Sequence, residues 1–175
     1  MHKVAITGRI GTGKTTICHI IKSLGYDVFE SDSETRKILL KTKIINEIKT
    51  VYRNKIRNLI NSEKQIDTEK LGDFVFGDEY QLRILENIIH PEIWKSKKHF
   101  IKNNQEKRIL FFDIPLLFEK NIHINYDSII YTKVDFMIQK ERVLKREKMN
   151  LNKFNQIYMT QKNPSEEQKK KITLE

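Results

Sequence analysis

The residues best suited to chemistry lie near the start of the chain, where positions 8–16 read GRIGTGKTT. This segment fits the phosphate-binding pattern GxxxxGK[ST], in which glycines let successive backbone N–H groups turn toward one anion. Lys14 is suited to the β- and γ-phosphates, Thr15 to a Mg²⁺ ion, and Thr16 to the α-phosphate. The segment therefore predicts a site for a nucleoside triphosphate with Mg²⁺. The residues expected to hold the nucleotide are Gly11, Thr12, Gly13, Lys14, Thr15 and Thr16.

Three further charged side chains could serve the same site. Asp113 ends the apolar run 109–113 (ILFFD), where it would either orient Mg²⁺ through water or cap the loop before Pro115. Arg142 and Arg146 lie four residues apart in a segment predicted to be helical over about 136–148, so both would lie on one helix face. That face is either a solvated surface or a clamp that closes over the triphosphate.

The elements around these residues follow an α/β order. An apolar strand at 4–6 leads into the glycine loop, a helix follows with Gly25 at its expected carboxyl-terminal cap, and further strands are predicted at 27–29, 109–113 and 128–131. Between them, positions 34–104 are nearly all helical in pattern, with one long amphipathic segment over 44–60 and N-caps at Asp67 and Asp78. We interpret this stretch as an insertion that binds a substrate.

Composition limits the remaining possibilities. The 175 residues suit one α/β domain with an insertion, and no apolar stretch or leader-like segment predicts a membrane or export route, so we expect a cytoplasmic protein. The net charge of +10 comes from lysines spread along the whole chain, which makes nucleic acid an unlikely main partner. The single cysteine, Cys18, is expected to be a small core residue. A monomer or weak oligomer is expected.

The motifs along the chain resemble those of the dephospho-coenzyme A kinase family. Positions 7–16 are similar to its TGGIGSGKS/T loop, with Arg9 in place of the second glycine, and positions 113–119 read DIPLLFE without a change. Asp32 and Arg36 match its DAD segment and the following Arg, while Glu30 replaces the first Asp. LExIxHPxI is matched at 85–93. Gln139, Arg142 and Arg146 match the lid pattern QxxRLxxRD, in which Glu147 replaces the final Asp, and Gln161 matches the Gln that ends the next helix.

This resemblance implies ATP-dependent phosphorylation of the ribose 3′-hydroxyl of dephospho-coenzyme A. Asp32 would then be the general base or would position the hydroxyl, with Lys14, Arg142 and Arg146 as the other catalytic residues. Residues implied to face the substrate are Arg36, His90, Pro115, Leu116 and Leu117. For His90, a plain helix break before Pro91 is the structural alternative. The resemblance also implies a parallel sheet in the order 2-3-1-4-5, in which the last edge strand, near 172–175, is cut short.

The expected organisation is a single domain over 1–175 with the P-loop NTPase three-layer fold. Within it, 1–32 and 105–175 would form the nucleotide-binding core, 33–104 the helical substrate subdomain, and 139–162 the lid. Two alternatives stay open from the residues themselves. One is another small-molecule or nucleoside monophosphate kinase, and the other is a nucleotide-gated or nucleic-acid-dependent ATPase.

Overall fold

The computed structural model describes residues 1–147 and 149–174 and contains one parallel five-stranded sheet. The strands are β1 (His2–Gly8), β2 (Val28–Glu30), β3 (Ile109–Asp113), β4 (Ser128–Thr132) and β5 (Ile172–Leu174). Their order is β2-β3-β1-β4-β5, which confirms the predicted topology. β1 lies at the centre, because it pairs with β3 on one side and β4 on the other, and its residues from Val4 to Gly8 are buried. The expected short last strand is present and pairs with β4.

Eight α-helices accompany the strands within these residues. They are α1 (Lys14–Ser23), α2 (Ser31–Leu39), α3 (Thr42–Tyr52), α4 (Thr68–Val75), α5 (Glu79–Asn103), α6 (Phe136–Leu144), α7 (Leu151–Thr160) and α8 (Glu166–Lys169). None of them is both long enough and apolar enough to cross a membrane. The contacts divide the chain into two compact units, Met1–Glu30 with Asn104–Glu175, and Ser31–Asn103. We call them the sheet unit and the helical unit.

The sheet unit folds locally as its sequence predicts. α1 ends at a glycine cap: Gly25 has φ of 84°, its N–H donates to the Lys22 carbonyl, and the Tyr26 N–H donates to the Ile21 carbonyl. Beneath this helix, Ile6 and Ile21 pack against the buried Cys18, so the thiol is a core residue as expected. Burial raises the pKa of Cys18 to about 11, and the nearby Asp113 charge adds to the effect. The thiol is therefore neutral at physiological pH.

The helical unit has its own apolar core, built from α2 to α5 and the loop between α3 and α4. Its buried residues are Ile38, Ile44, Ile48, Tyr52, Ile56, Leu59, Ile66, Leu71, Val75 and Ile89. The predicted N-caps are confirmed, since Asp67 accepts from the Lys70 N–H and Asp78 accepts from the Tyr80 and Gln81 N–H groups. This unit can therefore bury a substantial core without using the sheet.

One predicted helix is wrong in its extent. The amphipathic segment over 44–60 does not stay helical, because α3 ends at Tyr52 and Asn58 adopts φ of 53°; Ile60 instead forms an isolated antiparallel bridge with Ile66. The apolar spacing persists in this loop because its side chains still fill the core. The helix break before Pro91, which was the alternative interpretation of His90, is absent, since α5 runs through it. Pro91 lies on the exposed face, where water can solvate the carbonyl that loses its helical donor.

A buried carboxylate joins α5 to the start of α3. Glu92 is buried, and its two oxygens accept from the ammonium groups of Lys41 and Lys95, each at 2.8 Å. Lys43 lies 3.9 Å away. These lysines lower the pKa of Glu92 to about 2. The ionised form is therefore the one that holds the α2–α3 junction against α5.

We predict that the stability of the helical unit depends on pH through Glu92. A carboxyl whose pKa is lower in the folded state stabilises the fold above its unfolded pKa of about 4.5, and this contribution is lost as the pH falls toward about 2. Glu92→Gln should therefore be less stable than the wild type at pH 7, and the two should converge as the pH approaches 2. Denaturant unfolding followed by circular dichroism and by the single tryptophan, Trp94, would measure this. Equal stability at pH 7 would contradict the assignment.

Candidate active site

The phosphate loop leaves the amino terminus of α1 open. Gly11 and Gly13 adopt φ of 80° and 95°, which is the left-handed region that glycine enters without strain. Gly13 is the N-cap, no side chain caps the helix, and the first helical bond runs from the Ile17 N–H to the Gly13 carbonyl at 3.2 Å. The N–H groups of the first turn precede that bond and point out of the helix end. The arrangement fits an anion such as the phosphates of a nucleotide.

The end of β4 supports the loop from below. The Thr12 hydroxyl donates to the Arg9 carbonyl at 2.7 Å, and its oxygen lies 2.7 Å from the Thr132 hydroxyl oxygen. A Cβ atom built on Gly8 would lie 2.0 Å from the Thr132 hydroxyl oxygen, so only glycine permits this approach. The loop is thus fixed by contacts that leave the helix end uncovered.

An ion pair lies beside the loop. The Lys14 ammonium is 2.6 Å from Asp113 Oδ1, and both side chains are largely buried. The sheet brings them together, because Asp113 ends β3 in register with Ile6 of β1, directly before the loop. Thr15 is exposed in the first turn of α1. The two charges therefore neutralise each other. A phosphate could replace Asp113 beside Lys14, and a cation could replace Lys14 beside Asp113.

Arg142 reaches the loop, whereas the helix that was predicted to carry both Arg142 and Arg146 ends before Arg146. A Cβ atom on Gly13 would lie 3.9 Å from Arg142 Nη1. However, α6 ends at Leu144, and the Arg146 N–H donates to the Val143 carbonyl at 3.0 Å in the turn that follows. The two arginines are therefore not one turn apart on a continuous helix. The predicted helix end, Lys148, lies outside the described residues.

Two glutamines that had no assigned role hold the loop at Ile10. Gln139, which is buried in α6, donates its amide to the Ile10 carbonyl at 2.6 Å. Gln161, which follows α7, accepts from the Ile10 N–H at 2.7 Å. Both ends of the segment predicted as a lid, 139–162, are therefore fixed to the backbone of one residue of the loop, Ile10. The sequence signal for both glutamines was their match to the family's motifs.

The helical unit carries the other predicted polar residues. Asp32 and Arg36 lie one turn apart on α2, and both are exposed. Arg36 lines a groove of about 400 Å³ with Leu39, Leu40, Asn61 and residues 65–69, a size within the range of small-molecule pockets. His90 is exposed on α5 and does not line this groove.

The side chains of the turn at 113–119 (DIPLLFE) differ in burial. Pro115 is half-buried, Leu116 is exposed, and Leu117 is completely buried in the sheet unit. Of the two leucines, Leu116 alone can offer its side chain to a ligand. Glu119, at the end of the turn, accepts from the Lys162 N–H at 2.8 Å, which fixes the chain just after Gln161.

Comparison with known proteins gives a consistent result. The dephospho-CoA kinase family model matches residues 2–173. The dephospho-CoA kinase of Buchnera aphidicola subsp. Schizaphis graminum is 37% identical over 172 residues, which are 98% of this chain and 78% of that protein. The dephospho-CoA kinase of Fusobacterium nucleatum is 30% identical over 167 residues, 95% of this chain and 84% of that protein.

Solved structures support the same fold. The dephospho-CoA kinase from Campylobacter jejuni superposes with a TM-score of 0.65 and 28% identity, covering 99% of this chain and 86% of that one. A protein from Thermus thermophilus gives a TM-score of 0.83 at 24% identity over 99% of this chain and 88% of its own. The architecture around the phosphate loop is therefore shared with proteins whose structures are known.

We predict that Gly11→Ala abolishes nucleotide binding. Its Cβ atom would lie 2.6 Å from Val143 Cγ2 and 2.8 Å from the Gln139 carbonyl oxygen, and the left-handed backbone adds a cost of about 1–2 kcal/mol. The loop and α6 must then separate. Gly77→Ala is the matched control, because no atom lies within 4 Å of its added Cβ and its φ is not positive. Calorimetric titration with ATP and Mg²⁺ would compare the two, and wild-type affinity in Gly11→Ala would contradict the prediction.

Proposed function

This chain belongs to the dephospho-coenzyme A kinase family, and we propose that it transfers the γ-phosphoryl group of ATP to the ribose 3′-hydroxyl of dephospho-coenzyme A. The products are coenzyme A and ADP, and this is the last step of coenzyme A synthesis. The observation that supports the proposal most directly is the uncapped end of α1, with Lys14, Asp113 and Arg142 around it. These are the groups that a triphosphate donor requires.

The donor would bind along the phosphate loop. The backbone N–H groups of Gly11 to Thr16 would surround the phosphates, and Lys14 would exchange Asp113 for the β- and γ-phosphates. The Thr15 hydroxyl and the Asp113 carboxylate are oxygen donors of the kind that Mg²⁺ prefers, and they would hold this ion directly or through water. When bound, Mg²⁺ offsets the negative charge of the phosphates. Arg142, beside Gly13, would stabilise the charge on the group being transferred.

The acceptor would be activated by Asp32. Its carboxylate would accept the proton of the 3′-hydroxyl while that oxygen forms a bond to the γ-phosphorus and the bond to the β,γ-bridging oxygen breaks. Asp32 would at least orient the hydroxyl, since a carboxylate can do so without taking the proton. Arg36, His90, Pro115 and Leu116 are the proposed side-chain contacts to the substrate, while the predicted contact of Leu117 is corrected, because its buried side chain holds the turn in the core. The groove at Arg36 provides room for a ligand group in the helical unit.

We assign the proposed binding roles to the segments of the chain that its sequence distinguishes. Residues 1–32 and 105–175 would bind the nucleotide, 33–104 the coenzyme A precursor, and 139–162 would act as the lid, with Arg146 added to its catalytic groups. We further propose a cytoplasmic protein that is a monomer or a weak oligomer and needs no nucleic acid. Exclusion of water by the lid would favour transfer over hydrolysis of ATP.

The function is tested by the acceptor and by Asp32. ADP release should require dephospho-coenzyme A and should not appear with AMP, shikimate or RNA. Asp32→Asn should lower kcat by roughly 10²- to 10⁴-fold, the usual contribution of general base catalysis. Glu34→Gln removes the same charge from the same helix and should keep its kcat. A folded Asp32→Asn variant with wild-type turnover would refute the assigned base, and turnover with AMP alone would refute the acceptor.

The two arginines are predicted to differ. Arg142→Ala should lower kcat by about 10²- to 10³-fold, the loss expected when one donor to the transferring group is removed, with little change in the KM for dephospho-coenzyme A. Arg146→Ala should have a smaller effect, since Arg146 lies beyond the end of α6. Lys153→Ala, an exposed cation on α7, serves as the charge control. Steady-state kinetics would rank the variants, and a larger loss for Arg146 would contradict the ranking.

A further inference from the structure

Arg9 connects the phosphate loop to α7. Its guanidinium carbon lies 3.5 Å from the centre of the Tyr158 ring, and its Nη2 donates to the Tyr158 carbonyl. These contacts join residues that are 149 positions apart in the chain. A stacked guanidinium that also donates to a carbonyl is held in place more strictly than a flexible ammonium would be. The family loop pattern has glycine at this position, which has no side chain to make either contact.

Tyr158 extends this connection to α6. Its ring lies 5.0 Å from that of Phe136 and 5.6 Å from that of Phe154, measured between centroids, and Phe154 is completely buried. Phe136 begins α6, while Phe154 and Tyr158 belong to α7. The three rings therefore pack the two lid helices together, and Arg9 covers the face of this cluster from the loop.

The Arg9 guanidinium contacts α7, but not all of its N–H groups are hydrogen-bonded. Arg9 Nε is buried, and no partner for it exists among the described residues. The stacking and the bond to the carbonyl therefore determine where the side chain lies, at the cost of one unpaired donor. A group held in this way can orient α7, and through it the segment that carries Gln161, against the loop.

We propose that Arg9 is a positioning residue for ATP: it docks α7 on the phosphate loop through Tyr158 before the nucleotide binds. The proposal rests on the kinase function proposed above. A lid helix that is already docked does not have to be ordered by the nucleotide, so ATP binds with a smaller loss of conformational freedom. Arg9 acts through Tyr158, and the contribution appears in the binding of ATP rather than in the chemical step.

A double-mutant cycle tests the route of this effect. Arg9→Ala and Tyr158→Leu should each raise the KM for ATP about five- to tenfold, and the double variant should raise it no further than the larger single change. The kcat and the KM for dephospho-coenzyme A should stay within about twofold of the wild type, as expected when uniform binding is lost. Arg108→Ala removes one exposed positive charge from the same unit and should leave the KM for ATP unchanged.

Outcomes of two other kinds would overturn the proposal. Additive effects, or an effect of Arg9→Ala with none of Tyr158→Leu, would mean that Arg9 does not act through the stacked Tyr158 ring. A large fall in kcat would place it in the chemical step.

Hydrogen exchange gives a readout that does not need activity. In the nucleotide-free protein, Arg9→Ala should speed exchange of the α7 amides, Leu151–Thr160, and leave the helical unit unchanged as an internal reference for folding. Unchanged exchange in α7 would overturn the inference. If the wild type failed to phosphorylate dephospho-coenzyme A, the proposed function would be refuted. The exchange result would still decide whether Arg9 docks α7.

Discussion

The uncapped amino-terminal end of α1 has to be kept accessible to a ligand, and much of the sheet unit is arranged around this constraint. The first-turn N–H groups of α1 would be satisfied most easily by a side-chain cap, yet Gly13 has no side chain to supply one. The loop instead obtains its rigidity from its outer side, where Thr132, Gln139 and Gln161 hold Thr12 and Ile10. Because these contacts lie outside the helix end, they leave the first-turn N–H groups of α1 available to a ligand. The strand order, which places β4 and β3 on either side of β1, is what brings these supports together.

The parts of the fold that the sequence predicted are those with local causes. Parallel strands buried on both faces appear as continuous apolar runs, so 109–113 was located without error. Asp67 begins α4 and Gly25 ends α1 through bonds to residues that are near them in the sequence. In the candidate site, the loop, the position of Asp113 beside Lys14, and the approach of Arg142 follow from the same logic. The end of a strand, a glycine loop and the face of a helix each produce a recognisable pattern in the sequence.

What the sequence could not give depends on contacts between distant residues. The apolar spacing continues past Tyr52 because Ile56 and Leu59 are needed in the core, although they reach it from a loop. Periodicity reports burial and not the hydrogen bonds that end a helix. Arg146 illustrates the same limit at the end of α6. The stacking of Arg9 on Tyr158 is a tertiary contact for which neither residue carries a local signal.

The insertion of the helical unit has a consequence for how such an enzyme can change. The chain enters this unit at Ser31 and leaves it at Asn103, and its buried cluster is made only of residues between these points. A substitution within that cluster is therefore compensated by neighbours in the same cluster, while the packing around the phosphate loop keeps its own partners. Under the proposed division of function, selection on the molecule that receives the phosphate can then proceed with little effect on the residues that bind the donor. In evolutionary terms, the proposed donor half can be inherited unchanged while the proposed acceptor half diversifies.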